Sequence, residues 1–95
     1  MYRYKKIRKG WMETNDRYAL SLDNHVSIVE ALTAFCREKR IEAGTVLGIG
    51  AISSATFRFL DPATKQYVDK TFDEQMEITN LTGNISLKDN KPYLH

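Results

Sequence analysis

The sequence predicts an α+β fold in which a single, mostly antiparallel β-sheet carries one main helix, about residues 24–40, packed across it. Three observations predict this. Ala43 to Leu60 is the longest run of apolar, β-branched and small residues and reads as two strands joined near Ser53-Ser54. Val26, Val29, Leu32 and Cys36, joined by Ile28 and Phe35, recur at the three- and four-residue spacing of a helix face. The remaining segments are short, alternate in polarity and are separated by turn residues, which leaves one sheet for one helix to cover.

Met1 to Ile7 alternates Tyr2 and Tyr4 with Arg3 and Lys5, a pattern for an edge strand or an arm. Gly10 to Asp16 is a polar loop holding Trp11, which reads as a packing or subunit-contact anchor. Arg17 to Leu22 is a short strand with Tyr18, Leu20 and Leu22 on one face, and Asp23-Asn24 supplies helix-capping side chains after it. The helix ends near Arg40 with basic residues in its last turn, where the helix dipole favours them. Val46, Leu47, Ile49, Ala51 and Ile52 come too densely for one wet face, so this strand is expected to be central and covered on both sides. After Ser54 the pattern alternates, with Ala55, Phe57 and Phe59 facing one way and Thr56, Arg58 and Leu60 the other.

Asp61-Pro62-Ala63-Thr64 fits a turn that closes a hairpin onto Gln66 to Phe72, and Asp73-Glu74 breaks that strand. In Met76 to Leu87 the apolar positions pass from even (Met76, Ile78) to odd (Leu81, Ile85, Leu87), a slip around Thr79-Asn80 that a β-bulge would produce. Lys88-Asp89-Asn90-Lys91 is a hairpin connection, because Asp and Asn tolerate positive φ, and Pro92 to His95 begins another strand.

Ninety-five residues make one domain, and a chain of that size buries only roughly 60–65% of its unfolded surface. An oligomer that hides more apolar surface is therefore expected. The single cysteine, Cys36, excludes an internal disulfide, and the absence of a charged-then-apolar leader or long apolar run points to the cytoplasm and away from membranes. The net charge of +2 is mild, but Arg3, Lys5, Lys6, Arg8 and Lys9 crowd the first ten residues without an acid among them. Two readings compete for this segment. Basic residues interleaved with aromatics grip phosphates while rings stack on bases, whereas lysines on an edge strand also discourage pairing with other chains.

The residues offer no enzyme chemistry. Gly48-Ile49-Gly50 lacks the third glycine of a dinucleotide loop, Ser53 standing in its place, so the glycines are read as sites of close backbone approach or bulging. Ser53 and Ser54 have no evident base, and Glu77, between Met76 and Ile78, reads as the solvent face of a strand. Cys36 reads as a core thiol and His25 as a surface residue in the first helical turn. With two histidines, His25 and His95, a zinc site within one chain falls short of three ligands, although symmetry could gather copies of His95. A single helix excludes a helix-turn-helix, and Arg8-Lys9-Gly10 lacks the core of an AT-hook.

Phe35-Cys36, Ile41-x-Ala-Gly-Thr-Val-Leu-Gly-Ile-Gly-Ala51, Glu77-Ile78-x-x-Leu81-Thr82-Gly83-Asn84-Ile85-Ser86 and Lys91-Pro92-Tyr93-Leu94-His95 together resemble the plants-and-prokaryotes-conserved (PPC) domain from about Tyr18 to the last residue. The resemblance implies an α+β fold, a homotrimer, and, in bacteria and archaea, predicted DNA-binding proteins. Some prokaryotic relatives resemble metal-binding proteins that use a histidine pair just after the proline-aromatic-leucine segment, of which only the first maps here, onto His95. A family-like domain would continue for one or two strands beyond His95, so the 1–95 domain is expected to be truncated at its carboxyl end. Of the segment by which plant members engage partners, Glu74-Gln75-Met76-Glu77-Ile78 keeps only the last two residues. The resulting expectation is a non-enzymatic PPC-type oligomerisation domain that binds DNA through Arg3, Lys5, Lys6, Arg8 and Lys9. The alternative is a zinc or small-molecule site at a subunit junction near His95.

Overall fold

A computed structural model of the chain describes residues 1–7 and 16–95. Seven strands and one helix follow in the order β1 (Tyr2–Ile7), β2 (Arg17–Leu22), α1 (Ile28–Lys39), β3 (Gly44–Ile52), β4 (Ala55–Asp61), β5 (Gln66–Phe72), β6 (Met76–Lys88) and β7 (Lys91–Leu94) among the described residues. The class is α+β, with antiparallel pairing of β1 with β2, β4 with β5 and β6 with β7. The expected single sheet is instead three ladders, β1-β2, β3-β6-β7 and β4-β5. The chain divides into two compact units, one of Met1–Gly44 with Asn84–His95 and one of Thr45–Gly83.

The first unit is organised by α1. Ser27 caps the helix, its side chain accepting a hydrogen bond from the Glu30 backbone N–H at 3.3 Å. The helix therefore starts about a turn later than the predicted residue 24. His25 precedes it in a turn, at φ 61°, and is not in its first turn as expected. At the other end Arg40 turns left-handed, and the N–H groups of Arg40 and Ile41 donate to the Arg37 and Cys36 carbonyls at 3.3 and 2.8 Å.

Ala31, Phe35 and Cys36, all on α1, are the buried apolar residues among those described. Phe35 meets Tyr2, Tyr4 and Tyr18 of the β1-β2 ladder with ring centroids 5.4, 5.2 and 5.1 Å away, inside the 4.5–7 Å range in which tilted and edge-on aromatic pairs attract. Tyr2 lies opposite Leu22, Tyr4 opposite Leu20 and Lys6 opposite Tyr18. The face of Tyr18, Leu20 and Leu22 picked out by alternation is thus the one that covers the helix. α1 also packs beside β7. β6 and β7 join through Asp89 and Asn90, both at positive φ (54° and 60°), the conformation of the predicted two-residue hairpin turn.

In the second unit β4 and β5 pair from Ala55 opposite Phe72 to Asp61 opposite Gln66. One face carries Thr56 against Thr71, hydroxyl to hydroxyl at 2.9 Å, and Arg58 against Asp69, a forked pair at 2.8 and 3.1 Å. The other carries Phe57, Phe59 and Phe72, as the alternation predicted. The hairpin closes where Asp61 accepts from Ala63 N–H through its side chain (2.9 Å) and from Lys65 N–H through its carbonyl (2.7 Å). Along β6 Met76, Ile78, Leu81, Gly83 and Ile85 are shielded while Thr79 and Asn80 are both exposed, so the phase changes where the spacing placed it.

β3 departs from expectation. It lies at the end of its ladder, not at the centre, and Leu47 and Ile49 are 80% and 88% exposed. Its apolar density reflects a second bare face instead of burial on both sides. The glycines also divide. A Cβ at Gly48 would meet Leu81 at 3.6 Å, an ordinary contact, so no close backbone approach demands glycine there, whereas Gly50 adopts φ +150°. Gly50→Ala is therefore expected to lower stability by about 1–3 kcal/mol through backbone strain. Gly48→Ala is expected to be neutral or stabilising by up to about 1 kcal/mol, with urea denaturation as the measurement.

Candidate functional site

The basic amino-terminal segment becomes β1, and the ladder sorts its charges by parity. Tyr2, Tyr4 and Lys6 share the face that meets α1, so Arg3 and Lys5 stand on the opposite face, where both are exposed. Arg3 lies opposite Ser21 and Lys5 opposite Ala19, while Ile7 lies opposite Arg17. The outer face of this ladder therefore has three cationic positions, Arg3, Lys5 and Arg17, and no carboxylate at any paired position. Arg17 was not among the sequence-derived candidates. The signal for it was available in the parity of the second strand, since Tyr18, Leu20 and Leu22 inward put Arg17 outward. Lys6 is separated from Arg3 and Lys5 by its parity, and its Nζ lies 3.4 Å from Asp16 Oδ1. Arg8 and Lys9, like Trp11, lie outside the described residues.

The rings interleaved with these cations are occupied. Besides its contact with Phe35, Tyr2 donates its hydroxyl to Glu38 Oε2 at 3.0 Å, and burial followed by that carboxylate pushes its phenol above the ordinary value. Tyr4 lies 4.3 Å beneath Lys39 Nζ and also touches Tyr18. These rings lie on the α1 side of the ladder, away from Arg3 and Lys5, although Tyr4 keeps 42% of its surface exposed.

His95 follows β7, and its backbone N–H and carbonyl exchange hydrogen bonds with Asn84 at 3.0 and 2.7 Å. Among the described residues no group of three or more His, Cys, Asp or Glu side chains stands where it could hold a metal ion. The donor set does not fit zinc, which takes three or four converging protein ligands. Ser54 donates to Asp73 Oδ1 at 2.7 Å, and Glu77 is exposed, as its place on the solvent side of an alternating strand implies. Cys36 is 2% exposed.

A second surface is apolar. Leu47 and Ile49 project from one side of β3, and Phe57, Phe59, Leu60 and Tyr67 of the β4-β5 hairpin are each about half exposed or more. No helix among the described residues is long and apolar enough to cross a membrane.

The sequence profile of the Plants and Prokaryotes Conserved (PCC) domain matches residues 12–95. The chain is similar to a protein of Bacteroides thetaiotaomicron provisionally described as DNA-binding, at 55% identity over its whole length and 62% of that protein, with a TM-score of 0.87. It is also similar to a metal-containing protein of Archaeoglobus fulgidus, at 32% identity over its whole length and 57% of that chain, with a TM-score of 0.73. A Ralstonia eutropha protein, again provisionally described as DNA-binding, aligns at 37% identity over 72% of this chain and 46% of its own, with a TM-score of 0.64. The chain thus spans between 46% and 62% of the length of these relatives. No curated protein matches at a significant level.

Burial pushes the Cys36 thiol above its ordinary value, so the folded state holds its proton where an unfolded cysteine, with a pKa of about 8.5, releases it. This contribution to stability is complete below about pH 8.5 and is lost as pH rises toward the folded value. Denaturation midpoints measured from pH 7 upward are expected to fall more steeply for the natural protein than for Cys36→Ala.

Proposed function

This chain belongs to the Plants and Prokaryotes Conserved (PCC) domain family, and from that membership we propose that it is a non-enzymatic domain that assembles as a homotrimer and binds DNA in the cytoplasm. The observation that carries self-assembly is the bare side of β3, where Leu47 and Ile49 are almost wholly in water. Burying a leucine or isoleucine side chain contributes about 1.5–3 kcal/mol, and a symmetric assembly repeats that gain at every junction. The number three rests on the family resemblance. DNA binding is supported by the two relatives provisionally described as DNA-binding and by the acid-free stretch of Arg3, Lys5, Lys6, Arg8 and Lys9. Cytoplasmic residence is supported by a single buried free thiol. The metal reading centred on His95 has one relative in its favour, the Archaeoglobus protein, and too few ligands among the described residues.

In solution the protein is expected at three times the 10.9 kDa mass of one chain. The double variant Leu47→Lys with Ile49→Lys, at positions already exposed within one chain, is expected to sediment as a folded monomer. An unchanged mass for that variant removes β3 from the junction. For DNA, replacing Arg3, Lys5, Lys6, Arg8 and Lys9 together with glutamine is expected to abolish gel retention at low salt. Unchanged retention overturns the role of this segment.

A further inference from the structure

We propose that the face of the β1-β2 ladder turned away from α1 binds the phosphates of double-stranded DNA, in preference to a single strand and without regard to base sequence. This deepens the DNA-binding reading and rests on it.

The paired positions of that face are Arg3 with Ser21, Lys5 with Ala19 and Ile7 with Arg17. Two residues along a strand advance about 7 Å, which separates the bases of the Arg3 and Lys5 side chains. Arg17 lies diagonally across from Lys5, about 7–8 Å away on the same face. The phosphate site rests on Arg3 and Lys5, two residues apart on this face, with a hydroxyl opposite the first and a methyl opposite the second; Arg17 stands diagonally beyond them with an interaction of its own.

What this face lacks decides the kind of nucleic acid. Proteins that hold single strands gain about 1–3 kcal/mol per base by stacking bases on aromatic rings. Among the described residues the rings nearest these cations, Tyr2, Tyr4 and Tyr18, all lie against Phe35 on the other side of the ladder. Nor, among the described paired positions, does the face carry an Asn or Gln to read base edges. Attraction to phosphate is left as the principal interaction, and the duplex presents one charge per ~1.7 Å of axis, more densely than a single strand.

Fluorescence anisotropy with a labelled duplex, an unrelated duplex and one separated strand, between about 50 and 200 mM salt, tests this on the natural protein and two variants. The two duplexes are expected to bind alike and more tightly than the strand. The double variant Arg3→Gln with Lys5→Gln is expected to weaken duplex binding about tenfold and to reduce the salt slope by about 1.8 per chain, about 0.9 for each lost phosphate contact. Lys39→Gln, on α1 over the inward Tyr4 ring at the opposite side of the ladder, is expected to leave both unchanged. A strand bound as tightly as the duplex, an unaffected double variant, or an equal loss in Lys39→Gln each overturns this assignment while DNA binding itself stands. Failure of the natural protein to bind any of the three probes overturns the DNA-binding reading and this one with it.

Discussion

The packing of Phe35 against three tyrosines is the contact on which the first unit depends. The buried apolar residues found among those described lie on α1, and Phe35 is the largest of them. Its ring takes Tyr2 and Tyr4 from β1 and Tyr18 from β2, each at little more than 5 Å. Because strand side chains alternate, committing Tyr2 and Tyr4 inward commits Arg3 and Lys5 outward, and a slip of one residue would invert the arrangement. The electrostatic character of the outer face is thus a by-product of an aromatic contact on the inner one. The same contact puts these rings and the Arg3 and Lys5 cations on opposite faces of the ladder.

The second unit shows the opposite economy. Its β4-β5 hairpin is held by a cross-strand hydroxyl pair and a forked ion pair, and the latter draws the Asp69 carboxyl below its usual range through its hydrogen bonds to Arg58. These interactions fix register without providing a core, since Phe57, Phe59 and Leu60 remain about half exposed. With Leu47 and Ile49 bare on β3, one chain leaves apolar surface that a solitary small domain would be expected to bury. In the proposed assembly a sister subunit covers this surface.

Much of this was legible in the sequence because local chemistry governs it. Alternation located the strands, three- and four-residue spacing located α1, and Asp89-Asn90 announced a turn that requires positive φ. The helix start was legible too, in Ser27-x-x-Glu30, the capping-box spacing, but Asp23-Asn24 offered an earlier cap and the nearer signal prevailed. The position of β3 was not legible. A strand with two apolar faces has the same composition whether it is enclosed by its own chain or reserved for another, and only the ladder order distinguishes them. The candidate site was half legible for a similar reason. Charge clustering named Arg3, Lys5 and Lys6 together, but only pairing sends Lys6 to one face and Arg17 to the other.

Three turns of the chain are held by His25, Arg40 and Lys65 with φ between 56° and 61°. L-residues that carry a Cβ adopt that region only at a cost that glycine avoids. Residues of such kinds at such corners mean that the chain operates short of its attainable thermal resistance. The headroom sits in tight corners outside the paired cationic face and the bare side of β3, so an engineer could raise the melting temperature there while leaving those two surfaces as they are.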